Sequence, residues 1–477
     1  MMTEYTVTFL PGGICVAVPE GATVLDAQIR AGLRPDAPCG GRGTCGKCRV
    51  VIDGKEVLAC RTAVKRDMTV YLPDAGDFSI LEDGARVTIR PDGTDDYVFA
   101  FDIGTNTVVC YLLDGHTGTV LAQASRKNPQ GQYGADVISR LQHALKEGSQ
   151  ALSGCIREAM EDLAAEAAAR AGIARERITA SAIVGNTAMH HLLLGIDPNS
   201  LVTPPYMPAV SEALERKGAR ILPNIAGFVG GDTVGCMVAT RFDQVEELTL
   251  LIDIGTNGEM VLGNRERRIA CSTAAGPAFE GAKISCGMGG AEGAVDHVTA
   301  ANGEIAYTTI GEASPKGLCG SGLLDLVAVL LDEGIISESG RMKNKAFPLC
   351  DNVVLTQKDV REVQLAKAAI LAGIELLTEE MGVSVREIRR VYLTGAFGNY
   401  MDPRSACRIG MIPPVLLDRI TAIGNAAGEG AKLCALSRAE FEYSKKLAEG
   451  TEFLELASLP QFQKKYIGAL DFAPFVS

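Results

Sequence analysis

The chain has 477 residues, 47% of them hydrophobic and 22% charged, with a formal net charge of −12. That length holds two or three folded units with sizeable cores, and the composition excludes a disordered chain. The acidic balance gives no general attraction to nucleic acid, and no apolar run approaches the roughly 18 residues of a membrane span.

The first residues, MMTEYTVTFL, lack the basic, apolar and small-residue regions of a signal peptide, so a cytoplasmic location is expected. Residues 5–10 and 14–18 read as strands, joined by the hairpin signal Pro11-Gly12-Gly13. A short helix is predicted over 23–31, and strands near 48–52 and 68–72. This is the pattern of a β-grasp domain spanning 1–75.

Inside it lie Cys39, Cys45, Cys48 and Cys60, spaced C-x5-C-x2-C-x11-C. Close clustering without a signal peptide suggests metal binding rather than a disulfide framework. Glycines 40, 41, 43 and 46 let the loop bend tightly and free backbone N–H groups to point at sulfur. A structural zinc site would ordinarily pair two C-x2-C knuckles, and only one is present. The spacing is close to the plant-type ferredoxin pattern, and closer still to the adrenodoxin type, so the four cysteines are predicted to hold a [2Fe–2S] cluster. Cys15 falls outside the pattern and is expected in the core, like the cysteines scattered through the rest of the chain.

Residues 76–96 are rich in Gly and Asp and read as a linker. A repeat follows. Val98-Phe99-Ala100-Phe101 leads into Asp102-Ile103-Gly104-Thr105-Asn106, and Leu248–Ile252 leads into Asp253-Ile254-Gly255-Thr256-Asn257. A period of about 150 residues is too long for a solenoid and suits two similar lobes, predicted at 97–245 and 246–477. A Gly-Thr turn after a strand offers N–H groups and a hydroxyl to a phosphate, while the aspartate acts through Mg²⁺ and water. Two such turns facing each other would clamp ATP.

Further along, Phe228–Thr233 and Ile423–Gly428 suit two connecting helices. Val391–Asn399 reads as a strand and a glycine turn allowing close approach of adenosine, with Gly395, Ala396 and Phe397 at the contact. Asp232 is the candidate to orient the attacking water. This order of motifs resembles the actin/Hsp70/sugar-kinase superfamily, a two-lobed ribonuclease H-like fold.

Other segments carry less. Gly317–Gly322 opens an apolar helix that suits either an anion or close helix–strand packing. Lys367 is expected to solvate a helix face rather than reach the nucleotide, and 156–171 reads as a surface helix. Adjacent His190 and His191 cannot both face one metal on a helix.

The whole set resembles a known family, the reductive activators of corrinoid proteins. The resemblance rests on C-G-G-x-G-x-C-G-K-C with Leu58-Ala59-Cys60, on Asn128-Pro129-Gln130 through Tyr133–Asp136, and on Val184–His190. Cys319–Gly322 and Leu393–Gly398 extend it. It implies an ATP-dependent enzyme that takes an electron from a low-potential donor and returns it to a Co(II) corrinoid protein, restoring Co(I). A gap of about 120 mV in a one-electron step corresponds to about 2.8 kcal/mol, within reach of nucleotide-dependent conformational change. The competing readings are an activator of a 2-hydroxyacyl-CoA dehydratase, a non-catalytic nucleotide-sensing electron carrier, and a small-molecule kinase, which would leave the cluster without a task.

Overall fold

A computed structural model describes residues 3–10, 13–31, 33, 48–72, 89–134, 136–281, 283–301 and 303–472. The chain divides into two compact units, Met1–Phe78 and Ser79–Ser477.

In the first unit, β1 (Glu4–Leu10) pairs antiparallel with β2 (Ile14–Pro19). Helix α1 (Val24–Arg30) starts at Thr23, which exchanges hydrogen bonds with Asp26 in a capping box. Strands β3 (Arg49–Ile52), β4 (Lys55–Leu58) and β5 (Met68–Tyr71) complete a sheet of order β2-β1-β5-β3-β4, with β1 and β5 parallel. This is the expected β-grasp layout, with β4 added. Val7, Phe9, Val24, Leu25, Val50 and Val70 form its core, and Cys48 and Cys60 lie in the same cluster. Burying each of the larger of these side chains contributes about 1.5–3 kcal/mol.

Cys15 corrects one expectation, for it is exposed. It faces Thr8 across the β1–β2 ladder, and side chains alternate, so it shares the outer face while Val7 and Phe9 point inward.

The second unit contains the same sheet built twice. In the first lobe β6 (Tyr97–Ile103), β7 (Thr107–Asp114) and β8 (Val120–Lys127) form an antiparallel meander. Helices α2 (Val137–Glu147) and α3 (Gln150–Ala171) lead to β9 (Ala180–Gly185), which runs parallel to β6. After α4 (Thr187–Leu194) and α5 (Asn199–Val202), β10 (Leu214–Arg216) and β11 (Ala219–Ile221) extend the sheet, and α6 (Gly231–Thr240) leaves it. Helix α3 is longer than expected and not merely a surface element. Leu152, Ile156, Leu163 and Ala167 bury one face on the sheet, which the small alanines allow to approach closely.

In the second lobe β12 (Thr249–Ile254), β13 (Gly258–Gly263) and β14 (Arg268–Thr273) repeat the meander. A small sheet of β15 (Ala294–Ala301), β16 (Glu304–Thr309) and β17 (Gly317–Leu318) follows, then α7 (Gly320–Asp332). The hairpin β18 (Ala346–Cys350) and β19 (Val353–Thr356) precedes the 25-residue helix α8 (Gln357–Met381). Strand β20 (Arg390–Thr394) returns parallel to β12, followed by α9 (Gly395–Gly398), α10 (Pro403–Arg408) and β21 (Ile420–Ala422), itself parallel to β20. Helices α11 (Ala426–Leu436) and α12 (Arg438–Glu449), strand β22 (Glu452–Phe453) and helix α13 (Pro460–Gly468) complete the described chain.

The order β8-β7-β6-β9-β11 thus matches β14-β13-β12-β20-β21, strand for strand and direction for direction. The central strands are flanked on both edges and covered on both faces, so Phe99–Phe101 and Leu250–Ile252 are continuous buried runs. This is the duplicated ribonuclease H-like fold of actin-like ATPases. Among the described residues no helix is long and apolar enough to cross a membrane.

Candidate functional site

Of the four predicted cluster ligands, Cys39 and Cys45 lie outside the described residues. Cys48 immediately precedes β3, and Cys60 sits in the one-turn helix Ala59–Arg61 after β4. The antiparallel pairing of β3 with β4 brings the two together, and Cys60 N–H donates to Cys48 Sγ at 3.4 Å. Both are buried. A sulfur already receiving a backbone N–H bond is what a cluster thiolate requires, so this pair fits a [2Fe–2S] group.

Each D-I-G-T-N turn is closed by its glycine N–H, the first onto the carbonyl three residues on and the second onto the carbonyl two residues on. Gly104 N–H donates to Thr107 O and Gly255 N–H to Asn257 O, each at 2.9 Å. A Cβ on Gly104 would lie 2.9 Å from Thr107 O, so the first turn tightens only on glycine. Asn128 supports it from behind, donating from its side chain to Gly104 O at 2.9 Å. Thr105 Oγ1 accepts from the Asn186 amide at 3.1 Å, and Thr256 Oγ1 donates to Glu280 Oε2 at 2.7 Å.

Around these turns sit five carboxyl groups. Asp102 and Asp253 end β6 and β12, and Asp232 is in the first turn of α6. Glu259 is directly opposite Asp253 on β13, so both carboxyls leave the same face of the ladder. Burial pushes Asp102 up to about 6 despite a 2.7 Å hydrogen bond from Asn425. Burial and the neighbouring carboxylates push Asp232 up to about 7 and Asp253 to about 8, and they hold Glu259 well above the usual carboxylate range. Burial also raises Glu280, against hydrogen bonds from Thr256 and Asn106. So many acids gathered at one place fit a divalent cation that would neutralise them. Among the described residues no three side chains of His, Cys, Asp or Glu converge closely enough to cage a metal ion unaided.

Gly395 is bound to this cluster by its shape. Its φ is +85°, and a Cβ there would lie 2.4 Å from Asp253 Oδ1. Ala396 continues the same turn. The Phe397 ring is buried and stacks on Phe279 at 4.7 Å, over the Gly320 backbone, so it braces the turn from beneath. The connecting helices start at the site. α6 carries Asp232, and α11 is capped by Asn425, which accepts from Gly428 N–H while donating to Asp102.

Several further expectations resolve here. Cβ atoms at Gly320 and Gly322 would each lie 2.1 Å from a backbone oxygen, so the Gly317–Gly322 segment serves close helix–strand packing. Lys367 neither reaches the nucleotide turns nor solvates a face. It is buried, donating to the Asp471 carbonyl. His191 Nε2 accepts from Ala209 N–H at 3.0 Å, which leaves Nδ1 to donate to Thr187 O at 2.8 Å. His190 accepts from Asn224, and burial holds it down to about 4. Both are neutral core residues.

Glu259 and Glu280 escaped the sequence reading. Glu259 follows the second turn by two residues and acquires its position only through strand register. Glu280 was signalled by Gly276-Pro277 and Gly281, which bracket it as a fixed turn.

Three family models cover most of the chain: a 2Fe-2S iron-sulfur cluster binding domain at residues 7–68, the RACo middle region at 97–245, and the C-terminal ASKHA domain of RACo at 247–474. The corrinoid activation enzyme RamQ of Eubacterium limosum is 32% identical over a 575-residue alignment covering 95% of this chain and 96% of that one. A [Co(II) methylated amine-specific corrinoid protein] reductase of Methanosarcina barkeri is 30% identical over 52% of this chain and 51% of its own. Among solved structures, a reductive activator for corrinoid, iron-sulfur protein superposes with a TM-score of 0.72 at 28% identity, covering 98% of both chains.

Proposed function

The chain belongs to the RACo family of corrinoid-activating proteins, and we propose that it is the ATP-dependent reductase that returns a Co(II) corrinoid protein of a methyltransferase system to Co(I). The observation that carries this reading is the presence in one chain of a [2Fe–2S] domain and a two-lobed nucleotide clamp. A cluster without a clamp describes a ferredoxin. A clamp without a cluster describes a kinase. Only the combination supplies both an electron and a way to drive it uphill.

Residues 1–75 form the cluster domain in this reading, 76–96 the linker, 97–245 the first lobe and 246–477 the second. Cys39, Cys45, Cys48 and Cys60 hold the cluster, which when bound supplies one electron at a time. Thr105, Asn106, Thr256 and Asn257, with the backbone of Gly104 and Gly255, receive the phosphates of ATP. Asp102 and Asp253 orient the waters of Mg²⁺, Asp232 positions the attacking water, and Gly395 with Ala396 and Phe397 borders adenosine. The electron comes from a low-potential donor. A cytoplasmic, reducing setting suits a carrier that passes on a low-potential electron.

The test is an anaerobic assay that follows Co(I) absorbance of a Co(II) corrinoid protein with reductant, this protein and ATP. Appearance of Co(I) only when ATP is present is expected. Co(I) formation that ignores ATP, or none at all, would reject the reading.

A further inference from the structure

We propose that Asn128, Asn186 and Asn425 are positioning residues that preform the first phosphate turn, each capping a helix through its side-chain oxygen while its amide nitrogen grips the turn. The inference rests on the nucleotide-clamp reading and adds to it the residues that aim its donors.

All of them share one arrangement. Asn128 stands just before the short helix Pro129–Tyr133, Asn186 before α4 and Asn425 before α11. Their side-chain oxygens accept from Gln130 N–H at 3.0 Å, Met189 N–H at 3.0 Å and Gly428 N–H at 2.9 Å. A backbone N–H can only donate, so these bonds fix which end of each amide is oxygen. The opposite ends are donors, and they converge on one turn. Asn128 Nδ2 donates to Gly104 O at 2.9 Å, Asn186 Nδ2 to Thr105 Oγ1 at 3.1 Å, and Asn425 Nδ2 to Asp102 Oδ2 at 2.7 Å. Serine or aspartate would cap these helices about as well as asparagine. Aspartate has no proton to give the turn when ionised, and serine is too short to reach it. Only asparagine does both.

The direction of each bond prepares the turn for an anion. Thr105 Oγ1 accepts from Asn186, which leaves the hydroxyl proton for a phosphate oxygen, itself only an acceptor. Asp102 Oδ2 is taken by Asn425, which leaves Oδ1 to turn toward a hydrated cation. Gly104 O would repel a phosphate, and Asn128 satisfies it instead. Groups fixed before the ligand arrives need no reordering when it binds. The second turn is held differently. Thr256 commits its hydroxyl proton to Glu280, while its carbonyl accepts from Gly276 N–H at 2.9 Å. The first turn is therefore the half of the clamp that stands ready.

The experiment uses full-length Asn186→Ser and Asn186→Asp, alone and in a Thr105→Val background, titrated with a fluorescent ATP analogue and Mg²⁺. Both substitutions keep the cap, so melting temperature and cluster absorbance should match wild type. Affinity should fall about fivefold to tenfold in Asn186→Ser. It should fall further in Asn186→Asp, whose carboxylate takes the Thr105 proton for itself. In the Thr105→Val background the serine substitution should cost no more than about twofold, because the group it positions is already gone. Unchanged affinity in either folded variant, or the same loss with and without the Thr105 hydroxyl, overturns the proposal, since Asn186 would then be a helix cap and nothing more. Wild-type protein that binds no nucleotide would instead overturn the clamp reading beneath it.

Discussion

Gly235 on α6 and Gly430 on α11 meet where the two connecting helices cross. A Cβ on Gly430 would lie 2.1 Å from the Gly235 carbonyl oxygen, and one on Gly235 would lie 2.9 Å from the Ala427 carbonyl oxygen. These helices begin at Asp232 and at Asn425, the partner of Asp102. The crossing is therefore coupled to the nucleotide turns at both ends, and it is the natural pivot for any movement of one lobe against the other.

Gly430→Ala should wedge this pivot open. Overpacking against backbone typically costs about 1–3 kcal/mol, because the obstacle is not a flexible side-chain tip. The expected outcome is a lower melting temperature for the ATPase body and ATP-dependent Co(I) formation reduced about tenfold or more. Iron content and visible absorbance should stay at wild-type levels, since the cluster cysteines belong to the other compact unit. A variant with full turnover would show that the lobes need no close crossing there.

Replacing Cys60 with serine tests the opposite end of the chain. Cys60 supplies one candidate ligand, and its N–H bonds to Cys48 Sγ, another. Bound iron should fall from about two per chain toward zero, with loss of the cluster absorbance. Binding of a fluorescent ATP analogue should be unchanged, and so should basal ATP hydrolysis. Iron retained at the wild-type level in both Cys60→Ser and Cys48→Ser would remove these residues from the ligand set.

Asp253→Asn separates the cost of the acidic cluster from its use. Asp253 faces Glu259 across the ladder, and burial above all, then Asp232, Asp102 and Glu280, raises its pKa. With its pKa pushed up to about 8, Asp253 must take up a proton to fold at neutral pH, and an amide needs none, so the nucleotide-free variant should be more stable than wild type by at least about 1 kcal/mol. Mg²⁺-dependent ATP affinity should nonetheless fall, and ATP-driven Co(I) formation should fall by about a hundredfold. Calorimetric titration with and without Mg²⁺, beside thermal melts, measures both. A variant that is less stable and binds Mg–ATP normally would contradict the assignment.

What the sequence made legible follows from what repeats in it. The two D-I-G-T-N turns announce the lobes because phosphate binding constrains every residue of a short contiguous segment. The β-grasp strands declare themselves through runs such as Tyr5–Leu10 and a glycine-containing hairpin. Strand β4, with charged Lys55 and Glu56 in four residues, has no such pattern and forms because β3 offers it an edge. The small sheet of β15–β17 and the β18–β19 hairpin lie between repeated elements and have no counterpart in the first lobe to reveal them. Glu259 and Glu280 stayed hidden for a different reason. Glu259 takes its place only through pairing across the ladder, and the glycines around Glu280 mark a turn without saying which site it faces. Cys15 shows the same limit, since its exposure is settled by the face that Thr8 occupies.

Lys367 gives a prediction about pH. It is 1% exposed on α8, donates to the Asp471 carbonyl, and lies 5.6 Å from the centre of the Phe472 ring. Beside it Gln364 donates to Leu470 O at 2.8 Å, which fastens the end of the described chain to this helix, and Phe472 N–H donates to Glu338 O at 2.7 Å, outside the helix. Burial lowers the Lys367 pKa from 10.5 to about 8, with Asp471 opposing the shift. Below about pH 8 the ammonium is charged in both folded and unfolded chains, and its desolvation cost is fully present. Between about 8 and 10.5 the unfolded chain keeps the proton that the folded one has released. In that window this residue's contribution makes stability rise with pH, by at most about 1.4 kcal/mol per unit. Lys367→Met keeps the length of the side chain and removes the charge. The variant should melt higher than wild type at about pH 7, and its advantage should shrink as pH approaches 10. Melts at about pH 7, 8.5 and 10 decide the matter, and an advantage that does not change with pH would mean that Lys367 is not the group releasing the proton.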